Sequence, residues 1–126
     1  MTAVLDSSAL LALLWSEPGS DAVAAVMDDA VISAVNMAEV YSKLVDRGIV
    51  GDEIRALLSE LAIRVATFDE AQAFKVGDLR LATRNFGLSI GDRACLALAA
   101  SQKLGVITAD KAWGNLDLEI SIALIR

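Results

Sequence analysis

The sequence predicts an α/β domain: short aliphatic, β-branched runs alternate with longer helical patterns, and no internal repeat or low-complexity tract interrupts them. Its one proline sits in Glu17-Pro18-Gly19-Ser20, a loop between helical segments. At 126 residues the chain is long enough for one hydrophobic core and too short for two, so a single domain over 1–126 is expected. The expected architecture is a largely parallel central sheet of four to five strands flanked by helices.

Strands are expected at 3–6, 31–34, 64–67 and 106–109, with a last one near 120–124. Helical patterns fill the gaps at 8–15, 20–27, 37–47, 52–61, 69–84 and 90–104. The segment Ala94-Cys95-Leu96-Ala97-Leu98-Ala99-Ala100 is apolar on every face, as in a helix covered on both sides, which makes Cys95 a core residue. Leu10 to Trp15 has the same character, and apolar surface is expected to remain there for a protein partner.

Composition narrows the chemistry. Apolar residues make up 56% of the chain and charged ones 22%, which excludes a disordered polypeptide. The apolar runs 9–15 and 94–100 fall far short of the about 20 residues that a spanning helix needs, so no membrane association is expected. The N-terminus lacks a basic leader and Asp6 interrupts its apolar run, which favours a cytoplasmic protein over a secreted one. There is no histidine and only one cysteine, so serine or cysteine triads, imidazole acid–base pairs and cysteine-based zinc sites are all excluded. Any chemistry must be carried by carboxylates. The net charge of −6 argues against broad, nonspecific nucleic-acid affinity, while a local basic patch stays open.

Ligands of open α/β sheets bind beyond the carboxyl ends of the strands, so the acids that reach that edge are the candidates. Asp6 closes the first strand and Asp110 follows the 106–109 strand. Glu39 lies in the first turn of the helix after the second strand. Asp92 starts a helix that must run antiparallel to the strand it feeds, so its N-terminus points to the same edge. Each acid also has a plain structural reading. Asn36-Met37-Ala38-Glu39 and Ser89-Ile90-Gly91-Asp92 read as capping boxes. Asp6 can face the dipole of the helix it precedes, and Asp110 can be a turn aspartate. Four clustered carboxylates repel unless a counter-charge joins them, and an all-oxygen ligand set favours Mg²⁺ or Mn²⁺ over zinc. Such a site suits hydrolysis of a phosphodiester by a metal-activated water.

The stretches VLDSSALLALL (4–14), NMAEVYSKL (36–44), LSIGDRACLALA (88–99) and VITADKAW (106–113) together resemble the PIN domains, above all the small VapC-type toxins of toxin–antitoxin pairs. The resemblance implies an Mg²⁺- or Mn²⁺-dependent endoribonuclease with Asp6, Glu39, Asp92 and Asp110 as its catalytic, metal-holding acids and with Ser7 and Thr108 in support. It also implies an RNA substrate, a cognate antitoxin and a homodimer. Lys43, one turn beyond Glu39 on the same helix face, and Arg93 and Lys111, which adjoin Asp92 and Asp110, are candidates for RNA phosphates. Glu39 and Lys43 equally read as an ordinary i,i+4 pair. Trp113 is open to two roles, stacking on a base or packing under the last strand. The non-enzymatic alternative is a PIN-like module that binds RNA or protein without cutting.

Overall fold

A computed structural model describes residues 2–126. Its sheet has five parallel strands, β1 (Ala3–Leu5), β2 (Ala30–Ser33), β3 (Arg64–Ala66), β4 (Gly105–Thr108) and β5 (Ile122–Leu124), in the order β3-β2-β1-β4-β5. The central strand β1 pairs Val4 with Val31 on one side and with Val106 on the other. Strands covered on both faces read as continuous apolar runs, and β1 and β2 are buried throughout whereas the edge strands β3 and β5 are largely exposed.

The helices are α1 (Ser7–Leu14), α2 (Ser20–Ala24), α3 (Ala34–Asp46), α4 (Gly51–Leu61), α5 (Glu70–Asp78), α6 (Arg80–Thr83) and α7 (Ile90–Gln102). Helix α7 is the core of the molecule: Ala94 to Ala99 are buried, and they pack with Val4, Val31 and Val106 from one face of the sheet. Leu5 and Ile32 point to the other face and pack with residues of α1 and α3. Alternation along each strand thus fills two layers of core. Among the described residues, no helix is long and apolar enough to cross a membrane.

Several expectations are corrected. The long helix expected over 69–84 breaks into α5, α6 and a 3-10 turn at Arg84–Phe86. Gly77, a weak helix former, sits at the break, and a tertiary contact meets it there. Arg93 is buried in α7, and its Nη1 donates 2.9 Å to the carbonyl of Val76, placing a cation and a donor at the C-terminal end of α5. Helix α3 starts three residues earlier than expected because Ser33 caps it, accepting from the N–H of Val35. Asn36 is therefore inside the helix, and its expected capping box with Glu39 does not form. The apolar surface expected on α1 is covered only in part: Leu10, Leu11 and Ala12 are buried, whereas Leu13, Leu14 and Trp15 stay half-buried, with Arg47 4.0 Å over the ring of Trp15. Trp113 is 1% exposed, so it packs rather than offering a free stacking face.

Candidate active site at the carboxyl edge of the sheet

The chain runs from β1 outward through β2 to β3 and, on the other side, from β4 to β5. The crevice beyond the carboxyl ends of β1 and β4 is therefore the point where strand order reverses, the usual ligand position in such sheets. Asp6 follows β1 directly and Thr108 ends β4.

Asp6 is 3% exposed and fully engaged. As the N-cap of α1 it accepts from the N–H of Ala9 at 2.9 Å. Thr108 Oγ1 donates to its Oδ2 at 2.6 Å, and Ser8 Oγ donates to its Oδ1 at 2.8 Å. These hydroxyls in turn accept from the backbone: the N–H of Ala109 donates to Ser8 Oγ, and that of Asp110 to Thr108 Oγ1. The turn after β4 is thus tied to Asp6 through two polarised relays. Burial raises the Asp6 carboxyl above its ordinary value; the hydrogen bonds from Thr108, Ala9 and Ser8 oppose this, and the charge of Asp92 adds to the rise.

The other acids arrive from helices. Ser89 caps α7 and forms a capping box with Asp92, whose Oδ2 accepts from the N–H of Ser89 at 3.0 Å. Glu39, in the second turn of α3, accepts at Oε1 from Asn36 Nδ2 and lies against Gly91. Asp110 caps a 3-10 segment at Lys111–Asn115, using Oδ1 for the N–H of Ala112. Three of the acids therefore commit one oxygen to local structure. Asp92 Oδ1, Glu39 Oε2 and Asp110 Oδ2 remain unengaged among the described residues.

Asp6, Asp92 and Glu39 all act on one buried group of α7. Cys95, fully buried on α7, has its thiol pushed well above its ordinary value, first by burial and then by the charges of these three acids. Asp110 stands at the rim, exposed, joined to Asp6 through Thr108. None of the four is in an ion pair among the described residues, and the expected pair between Glu39 and Lys43 does not close. As placed, no three acid, thiol or imidazole side chains among the described residues stand close enough to enclose an ion. The set instead fits a hard cation by its chemistry: carboxylates with free oxygens, no cationic partner, and the buried, unpartnered Oδ1 of Asn36 beside them.

The expected supporting residues divide. Thr108 binds Asp6, but the serine that does so is Ser8; Ser7 lines an adjoining cleft. Arg93 is withdrawn from the surface to Val76, which corrects its assignment to RNA. Lys43 and Lys111 are exposed. Lys43 lies beside Glu39 and also lines the cleft of about 520 Å³ that Ser7, Ser8, Trp15, Arg47 and Arg126 share. Asn36, Gly91, Arg47 and Arg126 escaped the sequence reading. For Asn36 and Gly91 the signal was present in the two suspected caps, but the bond between α3 and α7 is not a local one.

An acid-rich crevice at the switch point of a five-stranded parallel sheet defines the class of protein in which the chain falls. The profile of the PIN domain family matches residues 3–118, and the chain belongs to that family. No curated protein sequence matches significantly. Among solved structures, the chain is similar to a DNA-bound VapBC of Salmonella typhimurium, with a TM-score of 0.75 and 16% identity over 100% of both chains. It is similar to a toxin–antitoxin complex of Klebsiella pneumoniae, with a TM-score of 0.73 and 18% identity over 98% of both. VapBC-5 of Mycobacterium tuberculosis gives a TM-score of 0.60 and 26% identity over 99% of this chain and 98% of that one.

Proposed function

We propose that the chain is the toxin of a toxin–antitoxin pair, an endoribonuclease that uses Mg²⁺ or Mn²⁺ held by Asp6, Glu39, Asp92 and Asp110. The observation that carries this reading is Asp6, a buried carboxylate with three donors, the charge of Asp92 nearby and no cationic partner among the described residues to balance them. Bound there, a divalent cation supplies activation of water and neutralises charge that develops on the phosphoryl group. The chain's own residues do the rest. Ser8 and Thr108 hold Asp6 in one orientation, and the caps of α7 and of the 3-10 segment aim Asp92 and Asp110 at the crevice. Lys43 and Lys111 meet RNA phosphates from the exposed rim; the adjoining cleft carries Arg47 and Arg126 together with Asp46 and Glu17, the last 3.6 Å from Arg126.

Similar folds have been solved as toxin–antitoxin complexes, which supports an antitoxin as the partner; that it inhibits a homodimer of this chain in the cytoplasm is part of the proposal. Since all three aspartates also cap helices, the rival reading is a PIN-like module that binds RNA or protein without cutting. Cleavage of a structured RNA panel with Mn²⁺ or EDTA decides between them. Asp6→Asn keeps a side chain that caps helices well, so its fold should persist while cleavage falls on the order of 100-fold or more, at least what loss of an outer-shell partner causes. Full activity of Asp6→Asn, or cleavage indifferent to EDTA, sinks the assignment.

A further inference from the structure

The geometry points to Asn36, with Gly91, as a clamp that positions Glu39 for ion binding, an inference that rests on the metal-dependent reading above. Asn36 is 1% exposed, inside α3. Its Nδ2 group donates 2.8 Å to Glu39 Oε1 and 2.8 Å to the carbonyl of Gly91, so both amide protons serve one bridge between α3 and α7. The Glu39 carboxylate lies so close over Gly91 that a Cβ there would overlap both of its oxygens. Asp92 is the next residue along α7. The clamp therefore sets which oxygen of Glu39 stays free, Oε2, and holds it beside the turn that carries Asp92.

The remaining atom of the amide is the second observation. Asn36 Oδ1 is buried and accepts no hydrogen bond among the described residues. Buried polar atoms without partners are uncommon in folded proteins and call for an explanation. A divalent cation held by Glu39 would bring water donors of the kind that Oδ1 lacks. Asn36 is thus a positioning residue rather than a ligand: it acts through Glu39.

A purely structural bridge between helices makes a different prediction, because its loss would weaken the fold without any coupling to Glu39. The test is Mn²⁺ titration of the full chain by calorimetry, alongside thermal unfolding in EDTA. Asn36→Ala is expected to weaken Mn²⁺ binding about 10–100-fold, the range for a partner that orients a metal ligand. Gly91→Ala should weaken it similarly by displacing Glu39, while the metal-free melting temperature holds, since alanine favours a helix more than glycine does. In a Glu39→Gln background, Asn36→Ala should change the affinity by less than about twofold, because the group through which it acts is already disabled. Undiminished Mn²⁺ binding by both single variants, or an Asn36→Ala effect that multiplies in full on Glu39→Gln, overturns the clamp. A wild-type chain that binds no Mn²⁺ overturns the metal reading itself, and the clamp with it. Should Asn36→Ala fail to fold, Gly91→Ala and its combination with Glu39→Gln carry the same comparison.

Discussion

Thr108 and Asp6 stand 102 residues apart in sequence and 2.6 Å apart in space, with the threonine hydroxyl donating to the carboxylate from the end of the neighbouring strand. The same hydroxyl accepts from the N–H of Asp110. Thr108→Val keeps the side-chain shape but leaves that N–H without its acceptor and takes one donor from a buried carboxylate. Loss of about 1–3 kcal/mol is expected in urea unfolding of the metal-free chain. Because the Thr108 bond lowers the Asp6 carboxyl, its removal lets burial push that group higher still. The acid limb of the cleavage profile should then move to higher pH. Superimposable profiles for Thr108→Val and wild type would show that Thr108 does not set Asp6.

The pH dependence of folding follows from the same carboxyl. Asp6 is raised in the folded chain above its unassociated value of 3.8, so the folded state prefers it protonated. Its contribution to stability is fully present below that value and is lost as the pH rises through the higher folded pKa. Asp6→Asn carries no such penalty. In EDTA, the stability of Asp6→Asn relative to wild type should therefore improve as the pH is raised from 3.8 towards neutrality, and Mn²⁺ should restore the balance for wild type only. A constant difference between the two proteins across that range would contradict the buried, raised carboxyl.

The sheet was legible because buried parallel strands advertise themselves: Val4-Leu5 and Val31-Ile32 are apolar on both faces, as a central strand must be. The acidic edge was legible in part from the rule that strands and antiparallel helices bring their ends together: Asp6 follows β1, Asp110 follows β4 and Asp92 opens α7, while Glu39 lies in the second turn of α3 and not the first. What escaped was set by contacts between distant residues. Gly77 hints at the break between α5 and α6, but the guanidinium that meets Val76 there comes from 17 positions further along the chain. Ser7 and Ser8 are adjacent and chemically identical; only the N–H of Ala109, a hundred residues on, selects Ser8. Capping and chemistry were weighed as alternatives, yet Asp92 and Asp110 can serve both because a carboxylate has two oxygens and a cap uses one.

That division of labour separates two substitutions at Asp110. Asparagine caps as well as aspartate, so Asp110→Asn should unfold within a few tenths of a kcal/mol of wild type, whereas Asp110→Ala should lose about 0.5–2 kcal/mol. Both discard the free carboxylate oxygen. Both should therefore lose Mn²⁺-dependent cleavage by comparable factors, on the order of 100-fold or more. Activity that tracked stability, with Asp110→Asn active and Asp110→Ala not, would leave Asp110 as a cap alone.

Arg93 and Lys43 make the sharpest contrast, since one adjoins Asp92, the other lies a turn beyond Glu39, and only Lys43 faces solvent. Arg93 is 8% exposed, donates to Val76 and leaves its Nε buried without a partner. Its replacement by alanine removes a charged hydrogen bond and the packing of a long stem, at an expected cost of about 1.5–3 kcal/mol in urea unfolding. RNA affinity, measured in the Asp6→Asn background so that the RNA survives, should stay unchanged under conditions where the variant is folded. Lys43→Ala should do the reverse. An exposed lysine in no ion pair among the described residues is expected to alter stability by no more than about 0.5 kcal/mol. If it meets one phosphate, its loss should weaken RNA binding and reduce the slope of log affinity against log salt by about 0.7, the value for a single-stranded contact. A salt slope that fell for Arg93→Ala and held for Lys43→Ala would mean that the RNA runs along α7 and not along the cleft beside α3.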